Sequence, residues 1–433
     1  MPKSKTTKLI IGGILIIFCL SAINALFYSI GYAFSFKTGT YIVTGDYMAD
    51  LFKIALSYPK MRDLIQSGAV TFPTALAPLL EVYYKYVAYH GVEGLATGQL
   101  THFHLPPLTT FFVLLLIDAF VLMGFIFPTL ILLFLTFFLT IWVLKLSTLK
   151  TLDRYLLFVA IIFSYPFIFF LQRGNFIGFF SFIFTAFAVV GLSRGAIISS
   201  IILMAVAVNI RPNLLVFLPL FYFWPYRALS RPFALMILAT IIFFIAEYFT
   251  NQSYQDYTLS HFLQGLEIYK VMYIIGDWGF GYNTSVYSLF KFAFKILDIR
   301  VSLERTLVII SIISAITMLF IIKMFNEGTM TKSAFVFLLT FVSLLGTPVL
   351  ADYHLLIFVL PGIFALEECE NSRNFENYPI SLSGMTFITC CVMLCPLNYI
   401  SYHGLYVLTL LKIPIALAMS ILLVRHRDEN VMI

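Results

Sequence analysis

Three features of the sequence predict an all-α, polytopic membrane protein with about 12 spans, built as a single domain over residues 1–433. The first is composition. Of 433 residues, 61% are hydrophobic and 11% charged, against about 25% charged in soluble domains, and mean hydropathy is +0.96. The second is run length. Leu9 to Phe36, Ala119 to Leu144 and Tyr378 to Leu411 carry no charge, and about 20 apolar residues suffice to cross a bilayer core. The third is the spacing of Lys and Arg, which gather in short loops between runs as cytoplasmic loops do. The period-2 alternation of an outer-membrane barrel is absent.

The spans follow from the basic residues in chain order. Lys3, Lys5 and Lys8 put the N-terminus inside. The start resembles a signal sequence, but its run is too long for one and lacks a cleavage site, so it is read as a retained span, about residues 9–35. A long outer loop, about 36–107, follows, and His104 to Phe127 reads as a half-embedded segment. The next spans are 122–146, Tyr155 to Gln172 and Phe176 to Ser193. Ala196 to Ile210 and Pro212 to Tyr226 are short, at about 15 residues each, for a core of ~30 Å crossed at ~1.5 Å per residue. Pro212 stops the first of them. Phe233 to Tyr248 leads to a second outer loop, about 250–303, and further spans lie near 306–322, 333–350, 354–366, 380–397 and 403–424. Both termini are then cytoplasmic. Lys412 falls near the middle of the last span; it is read as a misplaced span or a snorkelling stem and given no role.

This scheme excludes several classes of function. The net charge of +6 is scattered over short loops, so no nucleic-acid surface is formed. The five cysteines lack zinc-type spacing with histidine, and four lie in apolar runs as packing residues. No metal site and no cofactor is expected. There is no internal repeat of the kind that marks many transporters.

Charged and polar residues beside the membrane collect instead on the predicted outer side. Arg211, between two apolar runs, has the planar fork that grips phosphate or carboxylate, although a snorkelling charge at a helix end is the plainer reading. Arg173 opens an outer turn in which Gly174 and Asn175 make the bend, and Asn175 is placed to cap the next helix. His354, two residues after Asp352, can donate to a phosphate or move a proton. In TGDYMADLFK, Asp46 and Asp50 share a face if the segment is helical. Asp46 has an N-cap position after Gly45, and Asp50 either pairs with Lys53 or acts as a general base.

Several of these segments resemble glycosyltransferase family 87, polytopic enzymes of the GT-C class that use polyprenyl-phosphate sugars, often mannose. The likeness covers most of residues 40–365. Its parts are the Gly174-Asn175 turn, the Arg194-Gly195 loop, Arg211 before Pro212, the segment NTSVYSLF from Asn283, and GTPVLADYHLLIFVLPG. In the last, His354 matches the second histidine of the family pattern and Tyr353 stands at the first. Asp50, with Leu51-Phe52, is closest to the family's acidic residue, and Asp46 fits after a four-residue shift.

The resemblance implies a GT-C-like fold whose long outer loops carry short interfacial helices. It implies transfer of a hexose from a polyprenyl-phosphate sugar to a lipid-linked or glycan acceptor, with inversion, at the outer face of a bacterial plasma membrane. Arg211 and His354, with Arg173 and Asn175, would bind substrate there, and Asp50 or Asp46 would be the catalytic base. The competing readings are a transporter or flippase and an outer-face glycan polymerase or ligase.

Overall fold

The computed structural model describes residues 5–33, 106–123, 126–253, 259–275, 285–299, 302–349, 352–371, 382–395, 401–402, 405–406 and 411–425. The described chain is helical apart from one short ladder. In order, the helices are α1 (Lys5–Ala33), α2 (Pro107–Met123), α3 (Ile126–Leu146), α4 (Thr151–Ile162), α5 (Tyr165–Arg173), α6 (Phe176–Ser193) and α7 (Ile197–Ile210). A 3-10 segment, Pro212–Phe217, leads into α8 (Leu218–Phe223) and α9 (Ser230–Ser253). Then come α10 (Leu259–Tyr269), a π-helical turn Lys270–Ile275, α11 (Val286–Ile296), α12 (Leu303–Asn326) and α13 (Lys332–Gly346). A second 3-10 segment, Asp352–Phe358, precedes α14 (Val359–Asn371) and α15 (Leu382–Met393). Strands β1 (Ser401–Tyr402) and β2 (Leu405–Tyr406) pair antiparallel before α16 (Lys412–Arg425).

Four stretches among the described residues are long and apolar enough to cross a membrane: Phe127–Leu146, Phe176–Ser193, Ser230–Gln252 and Leu303–Asn326. The pair α4 and α5, bent by 58°, would be a fifth if the two count as one span. The chain is thus a helical membrane protein. The buried share of each span sorts centre from rim. It is 67% for Phe176–Ser193 but 22% for Ser230–Gln252 and for Leu303–Asn326. So α6 is the central post, while α9 and α12 turn most of their apolar surface outward, where lipid is the fitting solvent.

Small residues let α7 pack closely on α6. The turn between them uses Gly195 at φ 86, a backbone state that suits glycine. A side chain at Gly191 would come within 3.0 Å of Ser200 Oγ, and Ala188, Ala205 and Ala207 are fully buried. Asn209 then ties α7 to α9 by donating from Nδ2 to the Ala239 carbonyl at 2.9 Å.

Two expectations need correction. The predicted single span Tyr155 to Gln172 is broken, because Pro166 lies in the first turn of α5. Proline has no N–H for the residue one turn back and crowds its carbonyl, and it turns the preceding residue away from helix. The last span was placed at 403–424, yet a two-stranded ladder occupies part of it and α16 starts at Lys412. Lys412 does not snorkel. It is fully buried, with Nζ 5.6 Å from the centre of the Tyr165 ring.

Polar contacts divide the bundle into two ends. At one end the acidic run at the close of α14 grips four other elements. Glu367 accepts from the Thr148 amide at 2.7 Å and pairs with Arg194. Glu368 accepts from the Ser333 amide at 2.8 Å, from the Ser333 hydroxyl, and from Ser383 Oγ at 2.9 Å. Glu370 pairs with Lys150 at 2.8 Å, and its hydrogen bond and charge hold that amine above its usual pKa. Thr7 donates to Asp153 at 2.7 Å and Arg227 to the Asn326 carbonyl at 2.8 Å. The other end begins where α6 starts, 18 residues away, which is ~27 Å at ~1.5 Å per residue.

Candidate substrate site at the far end of the bundle

The far end is built around the first turn of α6. Gly174 ends α5 in the left-handed conformation at φ 66, a stop that glycine adopts without a steric penalty. Asn175 then caps α6, its Oδ1 accepting from the Gly178 amide at 2.9 Å. Both roles follow from the Gly-Asn dipeptide.

Arg211 arrives from α7. Its backbone is extended, at φ −140 and ψ 98, because Pro212 disfavours helix at the residue before it. Arg211 N still donates to the Ala207 carbonyl at 2.8 Å. The Ile210 carbonyl at the end of α7 accepts from Thr109 Oγ1 on α2 at 3.1 Å. A break in a helix normally strands carbonyls, and here a neighbouring threonine satisfies one of them. The main chain beneath the guanidinium is therefore held from two sides.

His354 lies in the second 3-10 segment, half-buried. It is near enough to Arg211 for the guanidinium charge to act on the imidazole. Both line a small open cleft of about 30 Å³ with Phe170, Gly178, Phe179, Ser181, Phe182, Asn213, Leu214, Ser343, Leu356 and Ile357. In its aromatic wall Phe170 and Phe179 stack with ring centres 4.6 Å apart. The lining thus combines aromatic and aliphatic side chains with Arg, His, Asn and Ser. A guanidinium beside apolar surface is the chemistry that meets the anionic head group of an amphiphile.

The sequence-derived candidates divide as follows. Arg211 and His354 meet at the cavity, and Asn175 adjoins it through Gly178. The backbone of Arg173 closes α5 one residue before the Gly174 turn; its side chain lies outside the described residues. Asp46 and Asp50 lie outside them as well. Among the described residues, no group of three His, Cys, Asp or Glu side chains is placed to hold a metal ion.

Sequence reasoning missed Gly178, Ser181, Asn213, Ser343 and Thr109. Asn213 was within reach, since a second polar residue follows Arg211-Pro212 in an otherwise apolar stretch. Ser181 and Ser343 are single polar residues in apolar helices and carry no signal without the packing. Beyond the cavity, Asn213 Nδ2 contacts Thr347 Oγ1 at 3.5 Å, and Ser285 Oγ donates to the Pro348 carbonyl at 2.9 Å. These contacts tie α11 and the loop after α13 to the same end. No protein-family model, no curated protein and no solved structure matches the chain.

Proposed function

We propose that the chain is a membrane glycosyltransferase of the GT-C class, similar in plan to family 87. It moves a hexose, mannose in the first instance, from a polyprenyl-phosphate sugar to a lipid-linked or glycan acceptor, with inversion. About 12 spans, long outer loops and cytoplasmic termini complete the scheme. One observation carries the reading. Arg211, His354 and the Gly174-Asn175 turn, each singled out by a separate motif, adjoin one cavity at the end of the bundle away from the basic loops.

The chemistry follows from charge. When the glycosidic bond to phosphate breaks, the departing phosphate gains negative charge. A guanidinium and an imidazole already in place stabilise that charge more in the transition state than in the ground state. The fork of Arg211 engages two phosphate oxygens together. The polyprenyl tail lies against aromatic and aliphatic surface. Asp50, or Asp46 in the shifted register, takes the proton from the acceptor hydroxyl as it attacks the anomeric carbon.

The test is kinetic. With radiolabelled polyprenyl-phosphate mannose in membranes, Arg211→Ala should raise the donor KM tenfold or more and leave the acceptor KM within threefold. Unchanged donor kinetics in that variant would remove Arg211 from the site.

A further inference from the structure

We propose that Gly178 is a positioning residue for Arg211. The face of α6 left bare at this glycine is the seat of the guanidinium, and a methyl group there would displace it. The kinetic arm of the test rests on the glycosyltransferase reading; the position of Arg211 is tested without it.

The observation is steric. Gly178 lies in the first turn of α6, donating its amide to Asn175 Oδ1 at 2.9 Å and accepting from Ser181 Oγ at 2.6 Å. A Cβ at this position would overlap both Arg211 Nη2 and Asn175 Oδ1, each well inside 3.0 Å. Two side chains from two separate segments therefore converge over one face of one residue. Gly13 is also crowded, 2.6 Å from Cys391 Sγ, and Gly191 comes to 3.0 Å from Ser200 Oγ, but at neither is the neighbour a charged group. At Gly362 the nearest atom to an added Cβ would be 3.6 Å away, and at Gly346 it would be 3.7 Å away.

The consequence is selective. Both overlapped atoms are the tips of side chains that can turn aside, so alanine at 178 is accommodated by the Arg211 guanidinium and by the Asn175 cap rather than by the backbone of α6. Alanine is also the better helix former. The main chain of Arg211 cannot follow its head group, since Ala207 holds its amide and Thr109 holds the carbonyl before it. The methyl group is thus accommodated by moving the guanidinium. Anion binding, which depends on fork geometry, changes while the fold persists.

Two readouts test this on the purified full chain. Phenylglyoxal modification of Arg211, followed by peptide mass spectrometry, should change in rate at least threefold in Gly178→Ala. Gly362→Ala should stay within 1.5-fold of wild type. Equal Arg211 rates in wild type and Gly178→Ala would overturn the proposal. With polyprenyl-phosphate mannose, Gly178→Ala should lower kcat/KM for the donor at least tenfold, with kcat falling as well, because the displaced guanidinium acts in the transition state. On an Arg211→Lys background the same change should add less than threefold, because the two residues act together. Full additivity would also overturn it. If the wild-type chain transfers no sugar from any donor, the glycosyltransferase reading fails and the modification rates still decide the placement of Arg211. Should Gly178→Ala not fold, Asn175→Ala opens the same seat and should speed the modification of Arg211; an unchanged rate there contradicts the proposal.

Discussion

At the scale of single residues, the proposed transfer assigns different roles to the two acids of TGDYMADLFK: Asp46, after Gly45, is expected to cap a helix, and Asp50 is proposed as the base. Asp50→Ala should abolish sugar transfer with the protein still in the membrane, whereas Asp46→Ala should retain at least a tenth of it. The reverse pattern would move the base to Asp46. A second residue-scale expectation concerns Tyr287, which is buried, donates to the Leu303 carbonyl at 3.4 Å and is pushed up to about 12. Burial is the larger cause, and the nearby Glu304 carboxylate adds to it. The folded state thus favours the neutral phenol. Its contribution to stability is complete below the usual tyrosine range near ~10 and is lost as pH rises through about 12. Tyr287→Phe should flatten the alkaline decline in thermal stability between these values. An identical decline in wild type and variant would show that Tyr287 does not titrate this way.

Helices and turns were legible wherever the rule is local. The Gly174 stop, the Asn175 cap and the break at Arg211-Pro212 all follow from two adjacent residues. What the sequence concealed depends on neighbours far along the chain. The acids Glu367, Glu368 and Glu370 fall at the C-terminal end of α14, the end where the helix dipole disfavours negative charge. No local pattern explains them there. The fold does: together they reach the α3–α4 loop, Arg194, α13 and α15, and Glu368 meets the positive start of α13 at Ser333. Glu368→Ala would leave the Ser333 amide and two hydroxyls without this acceptor. Loss of a hydrogen-bonded charge of this kind costs about 1–3 kcal/mol. The expected result is a lower unfolding temperature in detergent with donor KM unchanged, and an unaltered unfolding temperature would count against the clasp. The seat at Gly178 was hidden for the same reason, since a glycine in an apolar helix reads as spacing until its neighbour is known to be an arginine.

Across the whole molecule, the two ends have different characters. One gathers the Lys- and Arg-bearing loops into the α14 clasp; the other presents Arg211 and His354 to an open cavity. They are separated by the length of α6, 18 residues, or ~27 Å, close to a hydrocarbon core of ~30 Å. Lys150 and Arg194, from two of the basic loops, meet at the α14 end, away from Arg211 and His354. The rule that basic loops face the cytoplasm makes a prediction of its own. A cysteine placed at Asn213 should react with a membrane-impermeant maleimide from outside intact cells, and one placed at Glu327 should not.

The proposed activity is sugar transfer at the Arg211 and His354 cleft. The most direct measurement supplies purified protein in vesicles with a panel of radiolabelled polyprenyl-phosphate hexoses and a membrane fraction as acceptor. The account predicts transfer from at least one donor, with inversion, lost by tenfold or more in Arg211→Ala. No transfer from any donor, together with uptake of labelled solute into the same vesicles, would contradict it and identify a transporter instead.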